Sequence, residues 1–156
     1  MSYKKIILIE TLISAVINGV ISAAITLAMF SSLSVVPIVE VIKDSIPQTF
    51  FVSFFSVAIP TFIIRARLKS GRVLPVAHRP NRWPQATILR AIVIALLLTL
   101  LLATVHFLAF SPMRELTVGF TSLLAFKVVY GLLLSAFVTP WALWLALSEY
   151  QAKSAV

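Results

Sequence analysis

The chain is predicted to be an all-α integral membrane protein: a four-transmembrane-helix bundle, N-in and C-in, with a short interfacial segment between helices 1 and 2. Three observations lead there. Of its 156 residues 60% are hydrophobic and only 12% are charged, whereas a soluble domain has about 45–50% and about 25%. Four stretches reach the ~20 apolar residues that a ~30 Å hydrocarbon core demands. The lysines and arginines, finally, fall almost wholly in the connections that one orientation places on a single side. So little polar surface excludes a soluble monomer or a disordered chain, and the absence of cysteine excludes a disulfide scaffold.

The first span, about Ile6–Phe30, follows Lys4 and Lys5. A cleavable signal peptide has an apolar region of about 7–15 residues. This run is longer and contains Glu10 and Asn18, so a retained helix is expected. In Ser31–Ser45, Glu40, Lys43 and Asp44 interrupt a run of valines and isoleucines, which predicts an interfacial loop or brief helix. The second span covers about Ile46–Ile64 and the third about Ile88–Phe110, with a basic loop at 65–87 between them. A tight turn with Pro112 leads to the fourth span, Thr117–Leu147, long enough to tilt or to kink at Pro140.

With both termini cytoplasmic, the inside collects Lys4, Lys5, Arg65, Arg67, Lys69, Arg72, Arg79, Arg82, Arg90 and Lys153. The outside keeps Lys43 and Arg114. Such a bias fixes orientation, and it accounts for the formal net charge of +8 without nucleic acid as a partner. The loop arginines and lysine, Arg65, Arg67, Lys69, Arg72, Arg79 and Arg82, are also candidates for anionic lipid headgroups, at about 1 kcal/mol each. Trp83, Trp141, Trp144 and Tyr150 suit the headgroup level. The phenylalanines of the second span, Phe50, Phe51, Phe54, Phe55 and Phe62, read as lipid-facing surface or as a docking face for a pigment, a quinone or another subunit's helix.

Helices in lipid pack through small residues and interhelical hydrogen bonds, and residues four apart share a face. Each span has such a stripe: Ser14, Asn18, Ser22, Thr26; Thr49, Ser53, Ser56, Pro60; Ala91, Ala95, Thr99, Ala103 with His106; and Lys127, Gly131, Ser135, Thr139. A compact bundle follows. A shift of 80 residues superposes Phe30–Ser31 on Phe110–Ser111 and Pro60 on Pro140, hinting at two helical hairpins related by an axis along the membrane normal.

Three residues stand out as a candidate binding site: Lys127, Asn18 and Glu10. Lys127 enters the fourth span by about ten residues, roughly 15 Å at the helical rise. A charge there faces the bundle interior or a cavity, to hold an anionic ligand, a lipid headgroup or a partner's carboxylate, or else snorkels to the interface or hydrogen-bonds a neighbouring helix. Asn18 lies at similar depth, where it reads first as an interhelical hydrogen-bonding residue, and the two are expected to approach one another. Glu10 lies one turn inside the first span and is expected to pair with Arg90, or to act as a titrating carboxylate. A glutamate in the first of four helices is similar to the small multidrug resistance exporters, but the longer chain, the basic loop and the lack of a matching motif around Glu10 give no ground for carrying their function over.

His78 and His106 are too far apart to form a zinc site without cysteine, so neither metal nor cofactor is expected. No nucleophile elbow, metalloprotease helix, phosphate loop or dinucleotide fingerprint occurs, and the carboxylates are scattered. An enzyme is not expected. The Asn18-Gly19 pair, Pro47-Gln48-Thr49-Phe50, Phe126-Lys127-x-x-Tyr130-Gly131 and Thr139-Pro140 give a pattern similar to small bacterial four-helix membrane proteins. That resemblance implies a multi-pass protein of a bacterial inner membrane and no activity. The expected role is a non-enzymatic binding or accessory component of a membrane assembly, in contact with lipid and with other subunits or itself. The alternative is a small transporter of an anionic or organic solute using Lys127 and Asn18.

Overall fold

A computed structural model describes residues 3–74, 76 and 83–149. Four helices are long and apolar enough to cross a membrane: α1 (Tyr3–Phe30), α2 (Ile38–Lys69), α3 (Thr87–Phe110) and α4 (Phe120–Glu149). Two three-residue strands, β1 (Val35–Pro37) and β2 (Thr117–Gly119), precede α2 and α4.

Helix α2 departs most from expectation. Residues 38–45, expected in an interfacial segment, are its first two turns, and at its other end it runs five residues past Ile64. Glu40, Lys43 and Asp44 break the hydropathy of this stretch but not its helicity. Glu40 sits in the first turn, where the helix dipole favours an acid, and Glu40 with Lys43 forms a 2.7 Å pair at i,i+3. At the far end Gly71, with φ +69°, allows a closing turn in which Arg72 donates to the Arg67 carbonyl and Gly71 to that of Leu68.

The strand pair was not foreseen. β1 and β2 run antiparallel, with Val36 opposite Val118. Beyond them the Ile38 amide donates to the Leu116 carbonyl and the Phe120 amide to that of Ser34. An offset of 82 residues carries Val36 onto Val118, Ile38 onto Phe120 and Ser34 onto Leu116, so the strand pair and both flanking bonds map onto themselves. The same offset carries the start of α2 onto that of α4. The strand pair and the starts of α2 and α4 thus share a local pseudo-twofold, with an offset of 82 residues where the sequence suggested 80. The matching prolines and the Phe-Ser pairs had pointed two residues astray.

The halves interlock. α1 lies chiefly along α4, α3 along α2, and α2 against α4, while α1 and α2 touch little. The inside-out composition of a membrane bundle is plain in α1, where Glu10, Thr11, Ser14, Asn18, Ser22 and Thr26 are buried while Leu8, Leu12, Val16 and Val20 are exposed. The stripes of α1, α2 and α4 all face inward. Helix α3 is the peripheral one, burying Ala91, Ala95 and His106 but exposing Leu96, Leu97, Leu100 and Leu101.

Candidate functional site

The third turn of α4 and the second turn of α2 meet on the pseudo-twofold. Lys127 is wholly buried and its Nζ lies 2.8 Å from Asp44 Oδ2, itself almost inaccessible. The ammonium also donates to Ser45 Oγ at 3.4 Å and to the Val41 carbonyl at 3.5 Å. Ser45 is the residue the 82-residue offset carries onto Lys127, so the lysine contacts its own counterpart across the axis. Asp44 and Ser45 are there because α2 begins at Ile38; had it begun at Ile46, no acid would reach Lys127. Lys127 does face inward on the stripe of α4, seven residues after the helix start at Phe120, but its partner is an aspartate placed by sequence in the interfacial segment. Extending the stripe of α2 back four residues from Thr49 reaches Ser45 and would have brought Asp44 beside it.

Asn18 does not meet Lys127. Its Nδ2 donates to the Ser14 carbonyl at 2.9 Å and lies 3.1 Å from Ser135 Oγ and 3.2 Å from Ser56 Oγ. Ser14, Ser56, Ser135 and Thr139 complete a layer of hydroxyls nearer the loop end. Thr139 also donates to the Ser56 carbonyl at 3.2 Å, the carbonyl that Pro60, lacking an N–H, leaves without a helical partner. Gln48 joins the two layers: its amide donates to Ser22 Oγ at 3.0 Å and to the Lys127 carbonyl at 3.1 Å. Sequence placed both residues in one core; Asn18 bonds at the level of Ser135, two turns along α4 from Lys127, and Gln48 lies between the two levels.

Glu10 is buried, but its partner is Arg67 at 2.7 Å and not Arg90. Arg90, fully enclosed, sends Nη2 to both carboxylate oxygens of Glu149 at 2.6 Å and Nε to the Pro84 carbonyl at 2.9 Å. Arg65 adds Nη2 to Glu149 at 3.2 Å and Nη1 to Thr87 at 2.7 Å. Glu149, missed as a site residue, gathers two arginines because α4 runs two residues past Leu147. Arg65 and Arg67 are thus engaged with carboxylates, while Lys69 and Arg72 are exposed; Arg79 and Arg82 lie outside the described residues, as do His78, Tyr150 and Lys153.

Near the strand end His106 packs among Phe110, Phe126 and Tyr130, with ring centroids 6.0, 6.4 and 5.1 Å away, and the Tyr130 and Thr49 hydroxyls share a 2.5 Å bond. No group of His, Cys, Asp and Glu that could hold a metal occurs among the described residues.

No known protein family, curated protein or solved structure matches the chain. A lysine held by an aspartate, a serine and a carbonyl has its charge neutralised and its donors used; in this arrangement it ties α4 to α2. The Arg65–Glu149–Arg90 cluster does the same for α2, α3 and α4 at the loop end.

Proposed function

We propose that the chain is a non-enzymatic binding or accessory component of a membrane assembly, a multi-pass protein of a bacterial inner membrane with both termini on the cytoplasmic side. The single observation that carries this reading is the sealed Lys127–Asp44 pair: the charge in the spanning region that topology does not explain is engaged inside the protein and serves as a lock between its halves. The orientation is supported by the ten-to-two distribution of Lys and Arg between the two sides. The exposed apolar face of α3, on Leu97 and Leu101, is the surface offered to lipid or to another subunit. Exposed Lys69 and Arg72 supply the contacts to anionic headgroups.

A second reading, a small transporter of an anionic or organic solute, has one observation in its favour. Two equivalent halves meet around a charged pair, as the repeats of many transporters do around their substrates. Reconstitution separates the two. Vesicles loaded with a fluorescent organic anion retain it under an imposed proton gradient, with or without the chain, if the first reading holds; chain-dependent release contradicts it. Because the chain has no cysteine, Leu97→Cys and Leu101→Cys report partners directly. In native membranes they crosslink into a species of one size, whereas Val16→Cys on α1 does not.

A further inference from the structure

Lys127 and Asp44 lie near the end of the bundle that carries the strands. From Lys127 the start of α4 at Phe120 is seven residues away, ~10 Å at the helical rise, whereas its end at Glu149 is 22 residues away, ~33 Å. Asp44 follows the start of α2 at Ile38 by six residues. Water therefore has its shorter way to the pair from the strand side.

One layer of apolar side chains stands in that way. Leu123 and Val41 lie one turn nearer the strands than Lys127 and Ser45, on the same helix faces, and both are buried. With Phe30, the last residue of α1, and Val36 of β1 they form a single cluster, against which Val118 and Phe120 pack. The Val41 carbonyl is itself 3.5 Å from Lys127 Nζ, so the cluster rests directly on the charged pair.

The strand pair closes this layer from above, and it is lightly held. Of its six residues only Val36 is buried, and wholly so; Val35, Pro37, Thr117 and Gly119 are exposed. The connections leading into it, 31–34 and 112–116, are exposed throughout. The bonds at its two ends join its own segments, Ile38 to Leu116 and Phe120 to Ser34. Helix α2 has no side-chain cap at Pro37, so its first amide depends on the Leu116 carbonyl in place of a cap.

We propose that β1 and β2 form a lid over the Lys127–Asp44 pair, latched by the side chain of Val36, and that water reaches Lys127 from the strand side when the latch is released. This goes beyond the proposed function, neither reading of which calls for a movable cover on one side.

The test uses the full chain in sealed vesicles and a small anionic methanethiosulfonate that does not cross membranes. Ser45→Cys places a thiol beside Lys127, and Ser32→Cys and Ser70→Cys, both exposed, mark the strand side and the loop side. Val36→Ala removes two buried methyl groups, and modification at position 45 from the strand side becomes about tenfold faster, the shift in opening that such a loss supplies. Leu147→Ala, which trims the buried cluster at the loop end, leaves position 45 as slow as before. Val36→Thr keeps the size of the latch but adds a hydroxyl; it acts in the same direction and decides alone if Val36→Ala does not fold. An unchanged rate in the folded valine variants, a gain from the loop side, or an equal gain in Leu147→Ala overturns the lid. So does a thiol at position 45 that reacts as fast as the one at position 32 while Val36 is intact, because nothing then covers the pair.

Discussion

Lys127 and Asp44 illustrate why a charge inside a membrane protein is informative only once its partner is known. Removing one member of a buried pair leaves the other uncompensated, at about 3–5 kcal/mol, whereas replacing both by apolar residues is often neutral. Lys127→Met is therefore expected to lower stability by about that amount, and Asp44→Leu in the same chain to recover most of the loss. Denaturant unfolding in detergent of the two single variants and the double variant measures this; additive losses would show that the pair is not coupled. Arg67, 41% exposed in its side chain, faces water on one side, and Arg67→Gln is expected to cost less than Lys127→Met. At this scale the sequence told which residue was buried but not what it touched. Lys127 was legible from its depth. Asp44 was hidden because hydropathy begins the second span at Ile46, and Glu10 and Arg90 were matched by level although the fold gives each a different partner.

Among the elements, α1 and α4 approach closely, and Gly131 is why. A Cβ there would collide with the Ser22 side chain and lie 3.2 Å from the Asn18 carbonyl. Ser22 cannot step aside freely because its hydroxyl accepts from Gln48. Gly131→Ala is expected to cost about 1–3 kcal/mol, the usual range for overpacking. Gly19→Ala meets only the end of the Leu132 side chain, which can turn away, so its cost is smaller; the same unfolding assay ranks the two, and the reverse order contradicts the packing described. The helices themselves were legible, because apolar length and inward stripes are long-range signals. The two strands were not. Three residues each carry no periodicity, and Val35–Pro37 and Thr117–Gly119 become strands only because the fold brings them side by side.

On the scale of the whole molecule, the interlocking of the halves matters most. Each half contributes one helix to the other's packing, and α1 with α2 alone would bury little. A chain cut within the loop between Ser70 and Thr87 is accordingly expected to assemble when both halves are expressed together, and neither half to accumulate when expressed singly. Co-purification of the halves on a tag carried by one of them measures this, and a stable single half contradicts the interlocked packing. The local twofold was faintly legible, but at the wrong offset. Pro60 and Pro140 coincide at 80 residues, whereas strand register and helix starts agree at 82; backbone hydrogen bonds, not side-chain identities, preserve the relation.

The charged pair on the pseudo-twofold is buried at both members and ties α2 to α4. Ser45 touches Lys127 Nζ and is itself buried, and the chain has no cysteine of its own. Ser45→Cys in sealed vesicles, treated with a membrane-impermeant maleimide from each side in turn, measures water access to the pair, with Ser70→Cys in the exposed turn after α2 as the reactive reference. The lock predicts that Cys at 45 stays unlabelled from both sides while Cys at 70 is labelled from one. Labelling at 45 from either side would reveal a water path to Lys127 and contradict the sealed interior.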